Sequence, residues 1–463
     1  MAEPIIDPSK INAAFKAYDV RGTVPDQIDE DVAYAAGRAF AQVVALADDA
    51  EAVVVGHDMR PSSPGMAAAF ATGVNEYGVD VVMIGLASTD ELYFASGHLG
   101  LPGAMFTASH NPAQYNGIKL CRAYAVPVGL ESGLAEIRDL VVANAPAPTG
   151  VTLGTVSEQD VLGAYAAHLL KLSPITGRKL SVVADAGNGM AGHTAPAVFA
   201  QITDVVDLIP MYFDLDGTFP NHEANPIDEE TLTDLKARVL AEKADIGLAF
   251  DGDADRCFLV DEQGRAVTPS TLTALIAARE LAKEPGAKII HNLITSRAVP
   301  EIITENGGTP VRTRVGHSFI KATMAETNAV FGGEHSGHFY FREFWRADSG
   351  MLAALYALAA LAETDAPLSQ VLAPYDRYPH SGEINTTVAD QGAVLDDLRA
   401  TYGEAEGVTT DELDGLSVTH ADWTLNVRAS NTEPLLRLNA EGKDQTTMER
   451  ARDAALAIIR KGL

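Results

Sequence analysis

Short β-branched runs alternate with segments of helical period over most of the chain. Ala52-Val53-Val54-Val55-Gly56 predicts a buried strand, followed by a Ser- and Pro-rich helix start near Ser62. Val79 to Ile84 and Gly103-Ala104-Met105-Phe106 predict the next two strands. After a Pro- and Ala-rich break at Ala145 to Gly150 the pattern restarts. Leu180 to Ala184 leads into the loop Asp185-Ala186-Gly187-Asn188-Gly189, and Ile246 to Phe250 leads into a carboxylate cluster. A third round begins at Lys288-Ile289-Ile290 and continues through Val311 and Val330-Phe331. Repeated strand, loop, helix and strand argue for parallel or mixed sheets flanked by helices, in three tandem copies of one unit.

From about Tyr375 the order changes. A strand at Glu383 to Val388, a helix near Val394 to Tyr402, a meander around Trp423 to Asn439 and a terminal helix from Thr447 read as α+β. At about 150 residues per domain, 463 residues hold roughly three domains, with four as admissible as two. The expected division is 1–150, 151–260 and 261–374 as α/β domains, with 375–463 as an α+β domain.

Charge narrows the function. With 34 basic and 63 acidic residues, the net charge of −29 disfavours binding to nucleic acid or to an anionic membrane surface. An anionic substrate needs a local basic pocket working against that field. The two cysteines, Cys121 and Cys257, make no disulfide framework. The start Met1-Ala2-Glu3-Pro4 has no basic-then-apolar leader pattern, and the longest apolar stretch, Met351 to Ala362, is far short of a bilayer span. A cytoplasmic protein is expected.

Ligands of open α/β sheets sit outside the carboxyl ends of strands, and each chemically loaded stretch here follows a predicted strand. Thr107-Ala108-Ser109-His110-Asn111-Pro112 exposes a serine at a strand end, a nucleophile position or an ordinary polar loop. Lys119, beyond a turn read at Asn116-Gly117, can supply charge or a proton. Asp251-Gly252-Asp253-Ala254-Asp255-Arg256 places three carboxylates at alternate positions, suited to one hard cation such as Mg²⁺. An EF-hand is the rival, with Glu262 at its twelfth position, but Arg256 stands where such a loop needs glycine. Arg428-Ala429-Ser430-Asn431-Thr432-Glu433-Pro434, with Arg437 beyond, suits a phosphate cradle or a plain strand connection. Gly332-Gly333-Glu334-His335-Ser336-Gly337-His338 offers a carboxylate and a hydroxyl for vicinal sugar hydroxyls. Phe213-Asp214-Leu215-Asp216-Gly217-Thr218 matches the opening of a haloacid-dehalogenase-type aspartyl nucleophile, yet it runs into the Pro- and Asn-rich stretch Phe219 to Pro226.

Taken in order, Tyr18-Asp19-Val20-Arg21-Gly22 and the serine, aspartate, Gly-Glu-His-Ser-Gly-His and Arg-Ala-Ser-Asn-Thr-Glu-Pro stretches resemble the α-D-phosphohexomutase superfamily along essentially the whole chain. The resemblance implies three α/β domains and a smaller C-terminal α+β domain around a central cleft. It implies Ser109 as phosphoserine, with Asp251, Asp253, Asp255 and the serine phosphate binding Mg²⁺. Glu334 and Ser336 would hold sugar hydroxyls, and Arg428, Ser430, Asn431 and Thr432 the phosphate that is not reacting, with Arg437 beyond them a further substrate-binding candidate. Tyr18 and Arg21 would line the cleft, with His110, Lys119, Arg256, His317 and His338 as candidates for charge stabilisation and proton transfer.

Within the superfamily, His335 with Gly337-His338, and Asn431 where glucosamine-specific relatives usually carry Gly, look most like the phosphomannomutase or dual phosphomannomutase/phosphoglucomutase branch. The implied reaction interconverts mannose 6-phosphate and mannose 1-phosphate through a bound hexose 1,6-bisphosphate. Phosphoglucomutase and phosphoglucosamine mutase are the near alternatives; a phosphatase using Asp214 and a non-catalytic sugar-phosphate sensor are the distant ones. The expected partners are small-molecule hexose phosphates, for a monomer or dimer. One departure stands out: after Ile289-Ile290, where several dual-specificity relatives have a substrate-contacting lysine, this chain reads His291-Asn292-Leu293-Ile294-Thr295, leaving Arg297 as the substitute at hand.

Overall fold

The computed structural model describes residues 7–144, 147–403, 405–429 and 435–461, and of residues 317 and 318 the backbone alone. They form two compact units, Met1–Thr268 with Ser336–Val371, and Pro269–His335 with Leu372–Leu463. The stretch 261–374 thus contributes to both.

In the first unit the Val-rich run does become a strand, Ala52–His57, flanked in parallel by Gly103–Phe106 and Asp80–Leu86. Val53, Val55 and Val81 are fully buried in a core with Phe40, Phe70 and Phe106, as expected of a parallel strand covered on both faces. Tyr115–Arg122 then returns antiparallel beside Gly103–Phe106, and Val20–Thr23 pairs antiparallel with it. On the other side Val156–Glu158 joins parallel to Asp80–Leu86, so the first sheet continues past the break at 145–150.

The Asn116-Gly117 turn is not there. Both residues lie inside Tyr115–Arg122, with Gly117 opposite Arg21. Asn116 Oδ1 accepts from the Gly117 N–H at 2.7 Å and its Nδ2 donates to Ser62 and Ser63, so the amide that signals a turn is spent inside the sheet. A Cβ on Gly117 would meet the Val20 carbonyl oxygen at 2.3 Å, so glycine here serves close backbone approach.

A second sheet repeats the device. Val206–Met211, Leu180–Asp185 and Ile246–Phe250 run parallel, and Cys257–Asp261 returns antiparallel against the last. The loops 107–114 and 251–256 are therefore both hairpin connections, each leaving a buried parallel strand. The same unit holds a short hairpin, Phe339–Phe341 with Ala347–Asp348, and the helix Gly350–Ala362, apolar and buried on every side.

In the second unit Thr309–Thr313, Lys288–Asn292 and Phe331–Gly333 run parallel. A five-stranded antiparallel sheet follows, ordered His380–Thr387, Leu435–Gly442, Trp423–Ala429, Leu416–His420 and Val408–Asp411. Its first strand begins three residues before the expected Glu383. The helices Gln391–Tyr402 and Gln445–Ile459 supply Leu398, Met448, Ala455 and Ile459 to the core beneath this sheet.

Candidate active site

The serine loop is held from below by a residue that sequence reasoning passed over. Arg60 is fully buried, three residues past Ala52–His57. Its Nη1 donates to the carbonyls of Pro112 and Tyr115, each at 2.9 Å, and its Nη2 to those of Ser109 and Asn111 at 2.9 and 2.7 Å. Its Nε faces Asp58 Oδ2 at 3.2 Å, and Ser63 Oγ donates to the other Asp58 oxygen at 2.6 Å. Burial pushes both members of this pair toward neutrality, raising Asp58 and lowering Arg60, and each opposes that shift in the other. A buried guanidinium with four backbone acceptors fixes the path of the loop. The signal was present: a charged Asp58-Met59-Arg60 directly after the Val-rich strand Ala52–His57.

On that support Ser109 takes φ +50°, a left-handed conformation that few side chains adopt. Its Oγ donates to Asp251 Oδ2 at 2.7 Å, and Arg256 Nη2 donates to Oγ at 3.2 Å. The His110 Nδ1 lies 3.3 Å away and also meets Arg256. Burial, then the Arg256 charge, push the His110 imidazole well below its usual value, so it is neutral at pH 7. Gly252 is required between the aspartates: a Cβ there would sit 2.4 Å from the Ser109 carbonyl oxygen.

Asp251, Asp253 and Asp255 are buried, and one oxygen from each lies within 4.8 Å of the others. Burial pushes Asp251 up to about 7 against the pull of Arg256. Asp253 is equally desolvated, yet Lys119 holds it below the usual carboxylate range. Lys119 Nζ bridges Asp253 and Asp255 at 2.7 and 2.6 Å; burial disfavours its charge, and the two carboxylates more than offset this. Thr89 Oγ1, a second contact missed in the sequence, donates to Asp253 at 2.6 Å. Asp253 Oδ1 and Asp255 Oδ1 are buried with no hydrogen-bond partner among the described residues. Two orphaned carboxylate oxygens in an all-oxygen cluster fit a hard divalent cation such as Mg²⁺.

His338 Nε2 stands 3.6 Å from Asp255 and 4.0 Å from Asp348, with Nδ1 2.9 Å from Ser336 Oγ. Arg21 donates to Asn111 Oδ1 at 2.7 Å and pairs with Asp19 at 2.5 Å, and Tyr18 is partly buried just before its strand. The first unit therefore gathers Ser109, His110, Lys119, Arg256, His338 and the three aspartates.

The second unit carries the rest. Glu334 is buried and accepts from Asn292 Nδ2 at 3.3 Å and from the Gly316 N–H at 3.1 Å. Burial and the neighbouring His380 push the His335 imidazole down to about 4. Arg428 and Arg437 both pair with Glu383, at 2.5 and 3.0 Å. Ser430, Asn431 and Thr432, and the side chain of His317, lie outside the described residues. Arg297, the substitute at hand for the missing lysine, is stacked 3.8 Å over the Tyr378 ring, with Nη1 on the Ala421 carbonyl and Nε 3.5 Å from Glu441.

Two rival sites fall away on geometry. Glu262 follows the strand Cys257–Asp261 and accepts from Ser369, so no EF-hand loop closes on it. Asp214 is exposed and lies beyond Val206–Met211, an edge strand of its sheet, with no helix behind it.

Four family models match, described as phosphoglucomutase/phosphomannomutase α/β/α domain I over residues 12–146, domain II over 163–264, domain III over 268–378 and the C-terminal domain over 383–458. A phosphomannomutase of Escherichia coli is 38% identical over 455 residues, covering 96% of this chain and 99% of its own length. Phosphohexose mutases of Xanthomonas campestris pv. campestris are 39% identical over 452 residues, covering 97% and 99%. Among solved structures, a phosphoglucomutase/phosphomannomutase family protein from Burkholderia thailandensis superposes with a TM-score of 0.87 at 33% identity, covering 99% of each chain.

Proposed function

The chain belongs to the phosphoglucomutase/phosphomannomutase family and is an isomerase that moves a phosphoryl group, and from that premise we propose that it interconverts mannose 6-phosphate and mannose 1-phosphate. The observation carrying this reading is the position of Ser109 Oγ, 2.7 Å from Asp251 and 3.2 Å from Arg256, beside three converging carboxylates. The mannose preference is supported by the relatives named phosphomannomutase.

Ser109 would rest as the phosphoserine. Transfer breaks its P–Oγ bond and forms a P–O bond to a sugar hydroxyl, whose proton passes to a base while the serine oxygen left behind takes up a proton in return. His110 is already unprotonated, 3.3 Å from Oγ. Arg256 and the charged Lys119 offset the negative charge of the moving group, since positioning and electrostatics carry most of such a reaction. Asp251, Asp253 and Asp255, with a phosphoserine oxygen, would hold Mg²⁺, which when bound neutralises phosphoryl charge. The product is a hexose 1,6-bisphosphate that turns over without leaving and returns its other phosphate to Ser109. Glu334 and Ser336 would hold sugar hydroxyls, and Arg428 and Arg437 the phosphate that is not reacting.

The test is turnover followed by ³¹P NMR, with Mg²⁺ and a trace of hexose 1,6-bisphosphate. Mannose 1-phosphate and glucose 1-phosphate are supplied separately. Conversion to 6-phosphates is expected, abolished by Ser109→Ala and by EDTA and restored by added Mg²⁺; the ratio of the two rates names the sugar. Release of inorganic phosphate undiminished in Ser109→Ala and lost in Asp214→Asn would replace the mutase with a phosphatase.

A further inference from the structure

The two arginines assigned to the non-reacting phosphate are cross-strand neighbours. Arg428 on Trp423–Ala429 lies directly opposite Arg437 on Leu435–Gly442. Like charges so placed repel, and an anion between them removes the conflict. That anion is Glu383 on the next strand, paired in register with Asn439, two positions from Arg437. Glu383 Oε2 accepts from Arg428 Nη2 at 2.5 Å and Oε1 from Arg437 Nη1 at 3.0 Å. One carboxylate thus spans two guanidiniums with its two oxygens, as two oxygens of a phosphate would. The cluster is not sealed: the side chains of Arg428, Arg437 and Glu383 are 13%, 32% and 23% exposed. Arg428 Nε is a donor with no hydrogen-bond partner among the described residues.

We infer that Glu383 is an exchange anion for this cradle, holding both guanidiniums when phosphate is absent and competing with phosphate when it arrives. The inference rests on the reading that Arg428 and Arg437 bind the phosphate that is not reacting. An arriving phosphate dianion meets two positive charges, one of which is already neutralised, so the grip is looser than two free arginines would give. Looseness has a use. A bisphosphate that presents first one end and then the other must be released from the cradle in every cycle. A carboxylate ready to take back the guanidiniums keeps them from being stranded without a counterion at that moment. Only ion pairs change in the exchange, and no covalent bond is made or broken.

The experiment is Glu383→Gln, which keeps the shape and removes the charge. The KM for hexose 1-phosphate and the inhibition constant of inorganic phosphate are both expected to fall about two- to fivefold, the range one partly screened charge supports. The kcat is expected to fall with them, because release slows. A residue that merely props the arginines gives the opposite sign, with weaker phosphate binding and a raised KM. An inhibition constant unchanged or raised in a folded Glu383→Gln protein overturns the inference. Glu383→Asp, which withdraws the carboxylate by one methylene, is expected to shift both constants in the same direction and serves if the glutamine variant does not fold. Arg428→Met, measured in parallel, separates the two claims. Phosphate inhibition that it leaves intact sinks the cradle reading and the inference with it. Phosphate inhibition weakened in Arg428→Met but unmoved in Glu383→Gln sinks the inference alone.

Discussion

A single side chain decides whether the serine loop can exist as it is. Arg60 is the one group that joins the carbonyls of Ser109, Asn111, Pro112 and Tyr115 to the carboxylate of Asp58. Lysine has one ammonium and no fork, so it cannot replace that set. Arg60→Met leaves Asp58 buried without its cation, takes the guanidinium from four carbonyls, and is expected to cost about 3–5 kcal/mol, the usual toll of breaking a buried pair on one side. Calorimetry should show the lowered Tm. Below that temperature kcat should fall with KM little changed, because the arginine touches no ligand and sets the serine's path. Added guanidinium ion should restore part of the kcat, and no rescue together with normal turnover would leave Arg60 a stability residue only.

Elements were legible where their pattern was redundant. The Val-rich Ala52–His57 is over-determined by composition and forms as read, and the apolar stretch noted at Met351 to Ala362 folds as the helix Gly350–Ala362. Tyr115–Arg122 was illegible because Asn116-Gly117 carries a turn signature and only the partner strand shows why that glycine is there. Val408–Asp411 and Leu416–His420 went unread for another reason: the first is an edge strand with exposed threonines and too little apolar alternation to register. The site followed the same rule. Contiguous motifs declared Ser109 and the aspartates, whereas Arg60 and Thr89 matter through contacts with backbone or with residues far along the chain. At this scale the terminal helix gives a clean prediction. Asp444 caps Gln445–Ile459 by accepting from the Thr447 N–H at 2.8 Å, so Asp444→Ala is expected to lower the midpoint of urea unfolding.

Over the whole molecule, several carboxyls are buried without enough partners to stay charged. Burial pushes Asp90 up to about 7, and Glu91, also repelled by Asp90, up to about 8. Burial likewise raises Glu441 to about 7 despite Arg297. In the unfolded chain such groups ionise near pH 4–4.5. Between those values these carboxyls bind more protons folded than unfolded, whereas buried histidines such as His110 and His335 do the reverse up to about pH 6.5, so stability falls with rising pH from about 6.5 to 8. The Tm is therefore expected to be lower at pH 8.5 than at pH 7, on top of the self-repulsion of a chain with net charge −29. Glu91→Gln removes one contributor and should flatten the slope; an unchanged slope in calorimetry across that range would reject Glu91 as its source.

The order in which the units take up the chain has a further consequence. The polypeptide passes from one to the other at 268–269, 335–336 and 371–372. During synthesis the first unit therefore waits for Ser336–Val371, which brings Ser349 Oγ to Asp90 at 2.6 Å and His338 to Asp255. The second waits for the final strand and helix. A ribosome that has released only 335 residues has finished neither body, and a single protease cut at 335–336 divides both, whereas a cut at either of the other two crossings leaves one body whole in one fragment. Interleaving of this kind ties the completion of each body to chain that is made only after part of the other.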